Sequence, residues 1–127
     1  MEESAPVKLR ALRGAITVPH NDAKAILTAT EELLTAMVDR NELDHDDIVS
    51  CIFTCTPDLN AEFPAVAARN LGMSDVPLMC AQELDVYGQL PQVIRVMMHC
   101  YAPAERKPEH VYLRDATQLR QDLAGAQ

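Results

Sequence analysis

The sequence is poor in glycine and in aromatic side chains: it has four glycines, three tyrosines, two phenylalanines and no tryptophan. It contains neither a G-x-G-x-x-G fingerprint nor a P-loop, the glycine-rich motifs that bind nucleotide phosphates. The H-E-x-x-H and G-x-S-x-G signatures of zinc proteases and serine hydrolases are also missing. We therefore expect no cofactor, and an enzyme with this sequence would act by positioning and electrostatics alone.

The histidines and cysteines lack the spacing of metal ligands. Cys51, Cys55, Cys80 and Cys100 form no C-x-x-C pair, and the four histidines are scattered through the chain. We expect Cys51, Cys55 and Cys100 to be small buried residues on strands, because free cysteine behaves as a hydrophobic side chain. Cys80 precedes a polar turn, and its placement stays open. We expect neither a metal site nor a disulfide framework.

The charge balance is acidic, with 11 basic and 19 acidic residues and a net charge of -8. No run of lysine or arginine provides the cationic stripe that nucleic-acid binding needs. No apolar run approaches the roughly 20 residues of a membrane span. Residues 1–6 lack the charged and apolar regions of a signal peptide. We expect a soluble cytoplasmic protein with no nucleic-acid or membrane partner.

Hydrophobic periodicity predicts the element order β-α-β-α-β-β-β. The strands are predicted at 8–18, 48–54, 76–80, 93–101 and 110–113, and the last of them is allowed to continue to Leu119. A long helix follows the capping residues Asn21 and Asp22 and ends near Arg40. A short helical turn covers 44–47, and a short helix opens at Phe63-Pro64 and ends at Gly72.

These elements predict one α+β domain over 1–127, with flexible tails at 1–7 and 122–127. We expect a five-stranded mixed sheet with one long and one short helix on one face. Two helices in a chain of 127 residues cannot also cover the second face. We therefore expect that face to pack against other subunits in an oligomer.

Arg95 lies in a predicted strand whose other residues are mostly hydrophobic. Its face of the strand also carries Val93, Met97 and His99, and neither face of the strand is typical of a solvated one. We expect partly dry surroundings for Arg95, and a buried guanidinium needs an anion. Glu83 and an anionic ligand are the two candidates. Farther upstream, Gly14 beside Arg13 would let another backbone or a ligand come close.

Five segments then occur in order: RGAITV at 13–18, TPDLNAEFPA at 56–65, VPLMCAQELDV at 76–86, IRVMM at 94–98 and HVYL at 110–113. Together they resemble the monofunctional chorismate mutases of the AroH class, which form trimeric pseudo-α/β barrels. The resemblance covers roughly residues 9 to 123. It implies a homotrimer with active sites at subunit interfaces.

The activity implied by this resemblance is the rearrangement of chorismate to prephenate in the shikimate pathway of aromatic amino-acid biosynthesis. The reaction is an intramolecular Claisen shift of a dianion, which needs neither a nucleophile nor a cofactor. The ether oxygen gains negative charge as its bond to carbon breaks. A fixed guanidinium near that oxygen stabilises the transition state more than the ground state.

The resemblance also implies roles for individual residues. Arg95 stabilises the ether oxygen, Glu83 accepts a hydrogen bond from the ring hydroxyl, and Arg13 holds the enolpyruvyl carboxylate. Tyr112 binds the same carboxylate, and the backbone or the thiol of Cys80 lies near the ring hydroxyl that Glu83 binds. The remaining matches are the apolar walls Phe63, Ala65, Leu78, Met79 and Leu119 and the basic residues at the mouth, Arg69 and Arg120.

The chain departs from the family pattern at three positions. Val66 stands where some relatives have a lysine, Gln121 replaces a proline, and Met79 replaces a smaller polar residue. Two other functions share the predicted build: a non-catalytic trimeric binding module for a small carboxylate metabolite, and a hydrolase-like trimer acting on imines. We also expect no feedback regulation, because a chain of this size has no additional regulatory domain.

Overall fold

Five strands form one mixed sheet in the order β3-β2-β4-β1-β5. The computed structural model describes residues 6–120, so most of both predicted tails and Gln121 lie outside it. The strands are β1 (Val7–Thr17), β2 (Ile48–Cys55), β3 (Leu78–Gln82), β4 (Val93–Pro103) and β5 (Val111–Leu113). β4 runs antiparallel to β1 and β2, whereas the outer pairs β1–β5 and β2–β3 are parallel. The predicted mixed sheet and element order are confirmed.

Two helices, α1 (Ala23–Arg40) and α2 (Ala65–Asn70), pack on one face of this sheet. Asp22 caps α1, because its Oδ1 accepts a hydrogen bond of 2.7 Å from the backbone N–H of Ala25. The main core joins helix and sheet residues, among them Leu33, Met37, Ala68, Leu12, Phe53 and Met98. One long and one short helix on a single face were predicted, and this is confirmed. No helix within residues 6–120 has the length and hydropathy needed to span a membrane.

Several strand boundaries differ from the prediction by one or two residues. β1 begins at Val7, one residue earlier than expected. β3 begins at Leu78 instead of residue 76, because Val76 donates its N–H to Met73 in a turn and Pro77 has no N–H to donate. The predicted continuation of the fifth strand toward Leu119 is wrong. Arg114 has a φ of 56°, which turns the chain into a helical segment and ends β5 at Leu113.

The second face of the sheet carries exposed hydrophobic side chains. Leu9, Ile52, Met79 and Tyr101 lie on this face, which is opposite the helices. Within the described residues only a small cluster of Ala15, Val93 and Ala116, with Leu90, Tyr112 and Leu119 packed against it, covers part of the face. The prediction that the helices leave this face uncovered is confirmed.

Gly14 admits a close neighbour on the helix side of the sheet, where two side chains of α1 approach it. A methyl group added at Gly14 would lie 3.2 Å from Leu33 Cδ1 and closer still to the sulfur of Met37. Both side chains come from α1, and Met37 is fully buried. The glycine therefore lets the long helix approach β1 closely, and the approach of a ligand from the other face stays a prediction.

The cysteines are free thiols, and Cys51, Cys55 and Cys100 are buried on strands as predicted. Burial raises the pKa of the Cys51 and Cys55 thiols to about 12 and also raises the pKa of Cys100. At neutral pH these thiols are protonated and act as small hydrophobic side chains. Cys80 on β3 is only partly buried.

Candidate active site

Strand register aligns Thr54, Arg95, Ala15 and Tyr112 in one row across β2, β4, β1 and β5. The small side chain of Ala15 separates Arg95 from Tyr112 and leaves space above the sheet. With Arg13 these residues line a cleft of about 220 Å³ on the face opposite the helices. The structure therefore brings three of the predicted site residues, Arg13, Arg95 and Tyr112, into one cleft.

Glu83 reaches the same row from the end of β3. Its backbone N–H donates to Cys55 O at 2.9 Å, which extends the β2–β3 ladder by one residue. Its carboxylate then makes two contacts: Oε1 lies 3.1 Å from Arg95 Nε, and Oε2 accepts a hydrogen bond of 2.8 Å from Thr54 Oγ1. The predicted pairing of Arg95 with Glu83 is confirmed.

Arg95 is more exposed in the single chain than we predicted from the apolar residues around it in the sequence. Its side chain is 44% exposed, whereas that of Glu83 is 14% exposed. The reason is that the sheet face carrying Arg95 has little cover within residues 6–120. A guanidinium has five N–H donors, and the contact with Glu83 through Nε leaves others for an anionic ligand. Arg95 is thus anchored on one side and accessible on the other.

Two residues of this site were not identified from the sequence. Thr54 fixes the Glu83 carboxylate, and His110 Nδ1 accepts a hydrogen bond of 3.0 Å from the backbone N–H of Arg13. Alternation along the second strand predicts which side chains share a face with Thr54. It does not predict which residue of another strand stands beside Thr54, and that neighbour is Arg95.

A second cavity, of about 320 Å³, lies at the opposite edge of the sheet. It is lined by Phe63, whose side chain is largely exposed, and by Cys80 on β3, together with the 59–64 segment. The Cys80 and Leu78 side chains point toward the helix layer and pack against the main core, because they alternate with Met79 along β3. Cys80 therefore lies on the face of the sheet opposite Arg95.

The other predicted site residues are spread over the subunit. Ala65 is buried in the main core at the start of α2, and Arg69 is exposed near the end of the same helix. Leu119 packs on the small cluster beside Tyr112, and Arg120 is exposed at the end of the described range. Met79 is exposed on the uncovered face of β3.

Tyr112 and most of the predicted apolar walls lie at different edges of one subunit, whereas Leu119 packs beside Tyr112. Tyr112 is on β5 and Met79 is on β3, which are the two edge strands of the sheet. Four strand spacings separate these strands, roughly 19 Å at about 4.8 Å per spacing. One described chain therefore does not enclose a small ligand between its polar residues and its predicted walls.

Comparison with known proteins agrees with this architecture. The family model for chorismate mutase type I matches residues 9–123. The chain is 47% identical over 122 residues to a chorismate mutase AroH of Thermus thermophilus, covering 94% of this chain and 99% of the relative. It is 41% identical over 118 residues to a chorismate mutase AroH of Bacillus subtilis, covering 91% and 93%.

A solved structure supports the same assignment. The structure of a chorismate mutase from Clostridium thermocellum superposes on this chain with a TM-score of 0.81 at 47% identity, covering 86% of this chain and 98% of the other. Sequence and fold therefore agree over most of the described residues. The chain belongs to the chorismate mutase type I family.

Proposed function

We propose that this chorismate mutase converts chorismate to prephenate in the cleft lined by Arg13, Arg95 and Tyr112, and that a second copy of the chain closes the cleft. The observation that carries the proposal is the anchored guanidinium of Arg95. It is held at Nε by Glu83 and is open toward the cleft. A dianionic substrate without a metal partner needs such fixed cations.

Arg95 supplies the electrostatic part of the catalysis. As the carbon–oxygen bond of the substrate lengthens, the ether oxygen gains negative charge. Glu83 keeps the guanidinium from reorienting, so the stabilisation costs little reorganisation when that charge develops. The interaction is stronger in the transition state than in the ground state, and it therefore raises kcat.

The other polar residues position the substrate. Arg13 and Tyr112 hold the enolpyruvyl carboxylate from the β1–β5 side of the cleft. Glu83 accepts a hydrogen bond from the ring hydroxyl. Its carboxylate has about four lone-pair sites, and the contacts with Arg95 and Thr54 occupy two of them. Holding the extended side chain of the substrate over its ring converts binding energy into a reactive conformation.

The apolar walls come from a neighbouring subunit of a homotrimer. Two features support this arrangement: the exposed hydrophobic face of the sheet, and the position of Phe63 and Cys80 at the edge opposite Tyr112. A neighbour that covers the exposed face also removes water from around Arg95, which strengthens its field. Arg69 and Arg120, both exposed, lie at the mouth and attract a dianion to an acidic protein.

The enzyme acts in the cytoplasm, in the biosynthesis of phenylalanine and tyrosine. Its four free thiols suit a reducing compartment, where disulfides do not persist.

The test is a turnover assay on the purified chain in a buffer containing a chelator and no cofactor. Chorismate disappearance and prephenate formation are followed together, and sedimentation velocity gives the oligomeric state. We expect equal rates for the two signals and a trimer in solution. A folded trimer that binds chorismate without turnover would instead indicate a binding module, and an active monomer would refute the shared site.

Replacing Thr54 by valine tests how the Glu83 carboxylate is held. Valine keeps the shape of the side chain but removes the hydroxyl that donates to Glu83 Oε2. We expect kcat/KM to fall roughly three- to tenfold, because a hydrogen bond to a charged group contributes about 1.5 kcal/mol or less when it is partly solvated. The control Thr54→Ser keeps the hydroxyl and should retain near wild-type kinetics. A valine variant with wild-type kinetics would show that the hydroxyl is dispensable, and a loss in the serine variant alone would assign the effect to packing of the Thr54 methyl group.

A further inference from the structure

The ladder between β1 and β5 is short, and side chains complete both of its ends. Only three residue pairs align, from Gly14 with Val111 to Ile16 with Leu113. At one end Arg114 Nη1 donates to Thr17 O at 3.1 Å. At the other end His110 Nδ1 accepts from the N–H of Arg13 at 3.0 Å. β5 begins at Val111, so the backbone of His110 is not part of the ladder. The imidazole of His110 binds the N–H of Arg13 instead.

The hydrogen bond to Arg13 requires a particular form of His110. Nδ1 can accept only when the ring is neutral and its proton is on Nε2. Burial, together with the charge of Arg13, lowers the pKa of His110. The neutral form is therefore favoured at neutral pH.

The chain next to His110 is fixed by Asn41, the residue that follows α1. The residue before it, Glu109, donates its N–H to Asn41 Oδ1 and accepts from Asn41 Nδ2, both at 2.9 Å. Asn41 is buried, and its Nδ2 also donates to Met37 O in α1. These contacts fix the backbone of the chain just before His110. They place the imidazole against β1 without using any group of the cleft.

His110 thus joins the two strands that carry the cleft residues on this side. It contacts the backbone of Arg13 on β1, and it lies two residues before Tyr112 on β5. We propose that His110 is a positioning residue of this enzyme, which fixes the backbone of Arg13 relative to Tyr112 so that both reach the same carboxylate of the substrate. This inference rests on the proposed function, because it assigns Arg13 and Tyr112 to substrate binding.

The test compares His110→Leu, which removes the acceptor, with His110→Asn, whose Oδ1 can replace Nδ1. We expect the leucine variant to lose roughly ten- to hundredfold in kcat/KM, mainly through KM, since a misplaced positioning group has effects of this size. The asparagine variant should stay within about threefold of wild type, because its amide oxygen keeps the hydrogen bond. Hydrogen exchange at the Arg13 amide should be faster in the leucine variant only.

The same substitutions in an Arg13→Ala background separate positioning from general stability. If His110 acts through Arg13, His110→Leu should cause little further loss in that background. An equal loss in both backgrounds overturns the inference, and so does an asparagine variant as impaired as the leucine variant. A wild-type chain that turns over chorismate, with a leucine variant of unchanged kinetics, refutes the positioning role alone. A wild-type chain without turnover refutes the proposed function and the positioning role together.

Discussion

Replacing Arg95 by alanine should lower kcat/KM for chorismate at least roughly a hundredfold, the effect of removing one oxyanion donor, about 2.7 kcal/mol. Two losses combine in this variant. The cation that faces the developing charge is removed, and Glu83 keeps its negative charge beside a dianionic substrate without its ion-pair partner. The decrease should appear mostly in kcat, because the interaction strengthens in the transition state. Arg95→Lys keeps the charge but not the planar fork, and it should fall between wild type and alanine.

Arg40→Ala is the matched control for the Arg95 experiment. Arg40 is exposed in the last turn of α1, on the helix side of the sheet, so its loss changes the net charge equally without touching the cleft. We expect wild-type kinetics from this control. Sedimentation velocity and thermal unfolding verify that each variant keeps the oligomeric state and the fold of the wild type. Turnover that survives in an Arg95→Ala variant with the fold and oligomeric state of the wild type would remove Arg95 from the centre of the mechanism.

If the chain forms the proposed homotrimer, mixed trimers of two inactive variants should recover about a quarter of the wild-type activity. The first variant, Arg95→Ala, has a defective polar cleft, and the second, Phe63→Asp, places a carboxylate in the predicted wall. If each site combines the cleft of one subunit with the wall of its neighbour, random equal mixing gives an intact cleft beside an intact wall in about one interface of four. The measurement is turnover after the two variants are unfolded together and refolded.

The control mixture combines Arg95→Ala with Arg13→Ala. Both substitutions lie in the same cleft, so every site in these mixed trimers carries one defect, and no activity should return. Each variant refolded by itself gives the baseline. A mixture of the Arg95 and Phe63 variants that stays at this baseline would show that cleft and wall belong to the same subunit, and it would refute the interface site.

Most of the fold could be predicted from the sequence because local patterns determine it. The apolar stripe and the Asp22 cap predicted α1, and alternation predicted the strands to within two residues at nearly every boundary. β5 is the exception, because nothing in the residue types around Arg114 indicates that this residue adopts a positive φ. The uncovered face followed from the number of helices alone.

The candidate site could be predicted only in part. Arg95 and Glu83 were paired from the sequence, and the resemblance added the roles of Arg13 and Tyr112. Arg13, Arg95 and Tyr112 meet because β4, β1 and β5 are neighbours in the sheet, and Glu83 joins them because it extends the β2–β3 ladder. Cys80 was assigned with them, although its side chain lies on the opposite face. Thr54 and His110 act through single hydrogen bonds to residues of other strands. Such contacts depend on register between distant segments, which periodicity in one segment does not encode.

At Gly14 only the backbone of β1 separates the cleft from the helix side of the sheet. From the helix side, Met37 and Leu33 approach the Cα of Gly14, and on the other side the same residue borders the cleft between Arg13 and Ala15. No side chain separates the two surfaces at this point. Met37 is buried and does not line the cleft. A larger or smaller side chain at this position would nevertheless shift the backbone of Gly14 and so change the shape of the cleft. In the proposed site, the depth available to the substrate would be set partly by residues on the helix side of the sheet.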